Sequence, residues 1–216
     1  MRLKMTGMPV VDIGVHLGFA TQQIFTRTFT QHFGIAPGRY RIYPGWYFSN
    51  MFPALYNLCP HPPEPDVVRL AMPHVINSSL TYRCSGSEIE IPECHGRNQK
   101  KIGDQAIMLS GKRQAFSILY SFEPVKNSCC TKLTLSLSAD VQFSEYNCDG
   151  DMYLRFSFSG TPAELIRTQA EICLHILPAR KEFRRSGSDV FISLPGSDSE
   201  INESCISGYY YIPVSD

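Results

Sequence analysis

Residues 9–41, PVVDIGVHLGFATQQIFTRTFTQHFGIAPGRYR, decide how the N-terminal part of this chain is read. Proline is tolerated in the first turn of a helix, where its missing N–H would lack a partner anyway. With Pro9 so placed, a helix is predicted from Val10 to Leu17, with Val10, Ile13 and Leu17 on one face at spacings of three and four. Gly18 stops it, as glycine does at a left-handed C-terminal position. Thr21 then caps a second helix that runs to about Phe33, with an apolar stripe of Phe25, Phe29 and Phe33 flanked by Ile24. Gly34 ends that helix and Pro37 prevents its continuation. Gly14 sits in the middle of the first helix, where glycine costs ~1 kcal/mol. Two helices crossing closely at that point would require a residue that small. The order helix, glycine turn, hydrophobe (Phe19), helix is that of a helix-turn-helix. The second helix leaves a polar face of Gln22, Gln23, Thr26, Arg27 and Thr30. Glutamine suits adenine edges, and arginine suits guanine or phosphate; taken alone, the same face equally suits contact with solvent.

Charge and composition extend the picture outward. The 216 residues are 43% hydrophobic and 19% charged, enough for one large or two small domains with buried cores. Formal net charge is zero but unevenly spread. Residues 1–43 hold Arg2, Lys4, Arg27, Arg39 and Arg41 against Asp12, leaving 15 cations and 19 carboxylates for the remainder. A basic head on a mildly acidic body suits a polyanion-binding segment attached to something else. No apolar run is long enough to span a membrane, and no secretory signal opens the chain, so a cytoplasmic protein is expected. The eight cysteines form no C-x-x-C pair and read as reduced thiols. Cys84, Cys94 and His95 fit no zinc spacing, so no metal and no cofactor are expected.

Residues 44–66 read as a linker, because Pro44, Pro53, Pro60, Pro62, Pro63 and Pro65 exclude a long helix and a central strand. The aromatics Trp46, Tyr47 and Phe48 suggest that part of it packs on a domain. Residues 67–216 read as a mixed domain. Its strand-like runs are Val67–Ala71, Leu80–Cys84, Phe116–Phe122, Leu133–Leu137, Met152–Phe158, Val190–Leu194 and Ile206–Val214. Thr161-Pro162-Ala163-Glu164 is a capping box with a first-turn proline, opening a helix whose stripe is Leu165, Ile166, Cys173, Ile176 and Leu177, with Pro178 as its stop. Residues 86–106 are polar and give no clear period. No G-x-S-x-G, H-E-x-x-H or phosphate-cradling glycine loop occurs, and Asp149 and Asp151 fall in a turn, so no enzyme is expected.

The run from Pro9 to Arg41 closely resembles the second helix-turn-helix of AraC/XylS transcription regulators. Ile13, Gly14, Gly18, Phe19, Gln22, Gln23, Phe25, Arg27, Phe29, Phe33, Gly34, Pro37, Tyr40 and Arg41 fall on that family's pattern. The resemblance implies double-stranded DNA as partner, with Thr21, Gln22, Gln23, Thr26 and Arg27 facing it. Thr30 and Gln31 stand where the family usually carries lysines. MRLKMTGMP matches only the end of the helix that joins the family's two such units, so residues 1–43 are expected to form a partial DNA-binding region.

Residues 153–195, together with YYYIPV at 209–214, resemble the GyrI-like effector-binding domain of the right origin-binding protein branch of that family. The shared pieces are an aromatic strand ending in Gly160, the helix from Thr161, the pair Arg184 and Arg185, Asp189 and Pro195. The fold class expected is thus α+β: an all-α helix-turn-helix segment followed by an α+β GyrI-like domain over 67–216. The resemblance implies a small amphipathic or cationic ligand, with RNA polymerase as a further partner. Tyr209 stands where the family often has a buried glutamate, and Phe191 at another acidic position. Phe156, Phe158, Phe191, Tyr209 and Tyr211 are the candidate ligand-stacking residues, and equally they read as plain core. Two other readings stay open: a ligand- or protein-binding module with a degenerate DNA-binding half, and a small-molecule hydrolase.

Overall fold

A computed structural model of the chain describes residues 2–46, 64–71, 76–85, 88, 92–110, 115–139, 150–180, 183–194 and 205–215. Four helices come first: α1 (Arg2–Met5), α2 (Val10–His16), α3 (Gln22–Phe33) and α4 (Pro37–Ile42). Nine strands and the remaining helices follow: β1 (Gly45–Trp46), β2 (Asp66–Leu70), β3 (Ser78–Ser85), α5 (Pro92–Ser110), β4 (Ser117–Pro124), β5 (Cys130–Ser138), β6 (Asp151–Gly160), α6 (Pro162–Glu171), a π-helical turn (Ile172–Ile176), α7 (Leu177–Ala179), β7 (Phe183–Arg185), β8 (Asp189–Ser193) and β9 (Ile206–Ser215). The class is α+β, and every strand pair is antiparallel. Among the described residues no helix is long and apolar enough to cross a membrane.

Each of the seven strand-like runs of the sequence overlaps a strand, with Ala71, Phe116 and Leu194 just outside, because alternating or continuous apolar stretches here have one or both faces covered. β9 is the hub. It pairs with β6 along one edge and with β8 and then β7 along the other. β8 continues through β4 and β5 to β3, and β2 closes the β6 edge. One sheet face carries Leu135 and Leu137 of β5, Ile118 and Tyr120 of β4, Phe191 of β8, Tyr210 and Ile212 of β9 and Leu154 and Phe156 of β6, all buried. α5, α6 and the π turn pack on that face through Ile102, Ala106, Leu165 and Ile172. The opposite face holds a smaller cluster of Leu70, Tyr153, Val190, Ile192 and Tyr211.

The Thr161–Glu164 capping box forms: the Thr161 hydroxyl accepts from the Glu164 N–H, and the Glu164 carboxylate accepts from the Thr161 N–H at 2.7 Å. Pro178 does not stop this helix where it stands. The chain stays helical to Ala179, and the proline is accommodated by the π turn over Ile172–Ile176 immediately before it. A proline inside a helix removes one N–H and crowds the carbonyl of the preceding turn, and a one-residue widening relieves both.

α5 was not legible in the polar stretch 86–106. Among its described side chains the buried ones are His95, Gln99, Ile102 and Ala106, spaced four, three and four apart. The period is helical, but two of its four members are polar. His95 is satisfied by Tyr82 Oη at 2.8 Å from Nδ1 and by the Glu88 carbonyl at 2.9 Å from Nε2. The start of the expected linker is also structured. Gly45 and Trp46 pair with Arg185 and Arg184, and the Ser186 N–H donates to the Pro44 carbonyl at 2.9 Å. Tyr47, Phe48 and the remaining linker prolines up to Pro63 lie outside the described residues, as does Pro195.

Candidate nucleic-acid interface

α2 and α3 are built as their residues dictate. Gly18 takes φ 82° and Gly34 φ 71°, the left-handed positions that end the two helices. Thr21 Oγ1 accepts from the Ile24 N–H at 3.2 Å, capping α3. A Cβ on Gly14 would lie 3.2 Å from Phe25 Cβ, so the helices meet closely there. Phe25 is buried between Phe19, at 5.2 Å between ring centroids, and Phe29, at 5.8 Å. Phe29 passes the contact on to Phe33 at 4.5 Å and Tyr40 at 5.5 Å. Leu3, Met8, Ile13, Phe25 and Tyr40 are the buried core of this unit. Leu17 departs from the expected stripe. It is the C-cap residue of α2 and is 55% exposed, because the turn at Gly18 carries it past the α3 contact. Ile24 is likewise exposed, on the flank away from the phenylalanines.

The other side of α3 is a continuous polar surface. Gln22, Gln23, Thr26, Arg27, Thr30 and Gln31 line one open hollow, so the structure brings four of the five expected contact residues together. The fifth, Thr21, is exposed at the start of the same helix, but its hydroxyl is engaged as the cap. Thr30 Oγ1 donates to the Thr26 carbonyl at 2.7 Å. Gln22, Gln23, Arg27 and Gln31 are exposed.

The basic head is less available than its formal charge suggests. Arg41 Nε donates to the Leu3 carbonyl at 3.2 Å, and its Nη2 donates to the Met8 carbonyl. Lys4 Nζ donates to the Tyr43 carbonyl and lies 5.0 Å from the Tyr40 ring centroid. Burial lowers its pKa to about 8. These two cations tie α1 to α4, leaving Arg27 as the cation on the polar face of α3.

The five aromatics expected to stack on a ligand do not share a face. Phe156 and Phe191 both pair with Tyr210 across the sheet, and Phe158, two residues along from Phe156, joins them on the helix-covered side. Tyr209 and Tyr211 point to the opposite side, with Tyr153 and Ile192. Side chains alternate along a strand, so neighbouring tyrosines of the YYY run must face opposite ways. None of the five lines the cavity that does lie in the body. That cavity, of about 70 Å³, sits between α5, α6 and the sheet, and it is Tyr210 that reaches it.

At its floor Arg184 Nη2 stands 2.7 Å from Asp189 Oδ1, and Tyr210 Oη donates to Asp189 Oδ2 at 2.7 Å. All three residues are buried. Burial pushes the Asp189 carboxyl up, while Arg184 and the Tyr210 hydroxyl pull it back. Burial beside Asp189 raises the Tyr210 hydroxyl well above its ordinary value. In the sequence Arg184 and Asp189 stand out only as shared landmarks, and Met5, Gln99 and Gln169, which with Trp46 also line the cavity, carry no signal there. Among the described residues no group of three or more His, Cys, Asp or Glu side chains is placed to hold a metal ion.

A helical unit with an exposed polar helix, joined to an α+β body, is the class that the fold defines. The chain shows weak homology to AraC-family transcription regulators. It is similar to the F1 operon positive regulatory protein of Yersinia pestis, 24% identical over 220 residues, which covers 98% of this chain and 67% of that relative. It is also similar to the right origin-binding protein of Escherichia coli (strain K12), 33% identical over 87 residues. That match covers 40% of this chain and 30% of the relative, so the chain spans less than a third of its length there. The Shigella flexneri right origin-binding protein matches to the same extent. No protein-family model matches the chain.

Proposed function

We propose that this chain is a sequence-specific DNA-binding transcription regulator of the AraC/XylS type, with α3 as its recognition helix. One observation carries the reading. α3 buries Phe25 against Gly14 of α2 and turns Gln22, Gln23, Thr26, Arg27, Thr30 and Gln31 together to the outside. A helix held this way can enter a major groove, with glutamine and arginine reaching base edges and threonine reaching phosphate oxygens. The names of the two relatives, an operon regulator and an origin-binding protein, agree with it.

In this reading residues 1–43 hold an AraC-type helix-turn-helix, 44–66 connect it, and 67–216 are a GyrI-like effector domain. The cavity over Arg184 and Asp189 then replaces the five aromatics as the seat of a small-molecule effector, and RNA polymerase is the partner through which occupancy becomes transcription. Arg27→Ala tests the recognition helix. Fluorescence anisotropy on a selected duplex should show affinity weakened by ~1–3 kcal/mol if Arg27 makes a bidentate base contact. An unchanged affinity would remove Arg27 from the interface.

A further inference from the structure

We propose that the cavity in the body binds a small uncharged carbonyl compound of the carboxamide class, and that the helical unit feels its occupancy through Met5 and Trp46. This rests on the reading of that cavity as an effector site, and three observations carry it further. The first is charge. Arg184 and Asp189 neutralise one another at 2.7 Å in a buried setting, so no net charge is left for an incoming ion to meet. An ion of either sign would enter as an uncompensated buried charge, which is strongly unfavourable. This argues against the cationic ligand that the family resemblance implied.

The second is hydrogen bonding. Arg184 Nη1, Gln169 Nε2 and, its ion pair with Arg184 apart, Asp189 Oδ1 are buried without a hydrogen-bond partner, and all three residues line the cavity. Two are donors and one is an acceptor, so the complementary ligand carries both kinds of group, and a carboxamide supplies a carbonyl oxygen and an N–H without adding charge. The third is size. About 70 Å³ is roughly half of the ~150 Å³ that accommodates benzene, which limits a ligand to about three or four heavy atoms.

Two walls of the same cavity come from the helical unit and the residues that leave it. Met5 ends α1, and its carbonyl accepts from Thr131 Oγ1 of β5. Trp46 follows α4, pairs with Arg184 in β1–β7 and lies 5.4 Å from the Arg184 guanidinium. A molecule hydrogen-bonded to Arg184 therefore lies beside the parts of the structure that hold α1 and α4, and α3 packs on α4 through Phe29 and Phe33 against Tyr40.

Trp46 is the only tryptophan of the chain, so its fluorescence reports on the cavity directly. Acetamide, acetate and acetamidinium have nearly the same shape and differ in charge. The full chain would be titrated with each by Trp46 fluorescence and by calorimetry, at matched ionic strength. Acetamide is expected to give a saturable response with Kd between about 0.1 and 10 mM, the range open to so small a ligand, and to bind at least about tenfold more tightly than either ion. Gln169→Leu, which leaves the ion pair intact, should weaken acetamide severalfold, and circular dichroism would check its fold. Absence of a saturable acetamide response by both methods would overturn the proposal, as would equal or tighter binding of acetate or acetamidinium. The titration uses no DNA, so failure of the DNA-binding reading and failure of this one are separate results.

Discussion

Asp189→Leu is expected to destabilise the body by about 3–5 kcal/mol, because it leaves the Arg184 guanidinium buried with its charge uncompensated. Arg184 is 6% exposed and Asp189 2%, so bulk solvent compensates little for the lost carboxylate. Tyr210 Oη loses its acceptor at the same time. The partner variant makes the prediction specific. Arg184→Met combined with Asp189→Leu removes both charges and should recover most of the loss, since a hydrophobic pair of similar volume is often as stable as a buried ion pair. Urea unfolding followed at Trp46 would measure both, with a fall in midpoint and an unchanged slope as the signature of a pure stability effect. A double variant no more stable than Asp189→Leu would show that the pair does more than balance charge.

Phe25→Ala is expected to remove about 3–5 kcal/mol from the helical unit. Its core is small, with Leu3, Met8, Ile13 and Tyr40 as the other fully buried hydrophobic residues, and Phe25 touches Gly14, Phe19 and Phe29 within it. The loss is large for so few contacts, so α2 and α3 should come apart and DNA binding should disappear. Far-UV circular dichroism should show the lost helix, while the sheet-centred core of the body keeps its own unfolding transition. A variant that retains native helix content and DNA affinity would contradict the packing described for α2 and α3.

How far the sequence could be read depends on whether burial followed residue type. α3 was legible because its cap, its phenylalanine spacing and its terminal glycine all point to one helix, and the polar face is what remains when that stripe is buried. The strands were legible for the same reason. α5 was hidden because its buried stripe includes His95 and Gln99, polar side chains that the fold buries beside the cavity. The short strands Gly45–Trp46 and Phe183–Arg185 were hidden because their partners are remote in sequence.

Which sheet face each of the five candidate aromatics takes was not legible. In Tyr209-Tyr210-Tyr211 every position is equally aromatic, so composition offers no parity, and a one-residue error exchanges the two faces of a strand. Pairing to Phe156 and Phe191 places Tyr210 on the helix side. Met5 and Trp46 could not be assigned to the cavity at all, because the contacts that bring them there join segments far apart in the chain. Formal charge misled in a smaller way. Lys4 and Arg41 were counted toward DNA attraction, yet both are turned inward onto carbonyls of the helical unit.

The most direct test of the central claim is selection of duplexes from a random library by the purified wild-type chain, followed by anisotropy titrations of the enriched sequence at two salt concentrations. Recognition through α3 predicts enrichment of a common short motif, tighter binding to it than to a scrambled duplex, and affinity that falls as salt rises because phosphate contacts release counterions. A library that returns no motif, together with binding that is absent or indifferent to sequence, would contradict the assignment of α3 as a recognition helix.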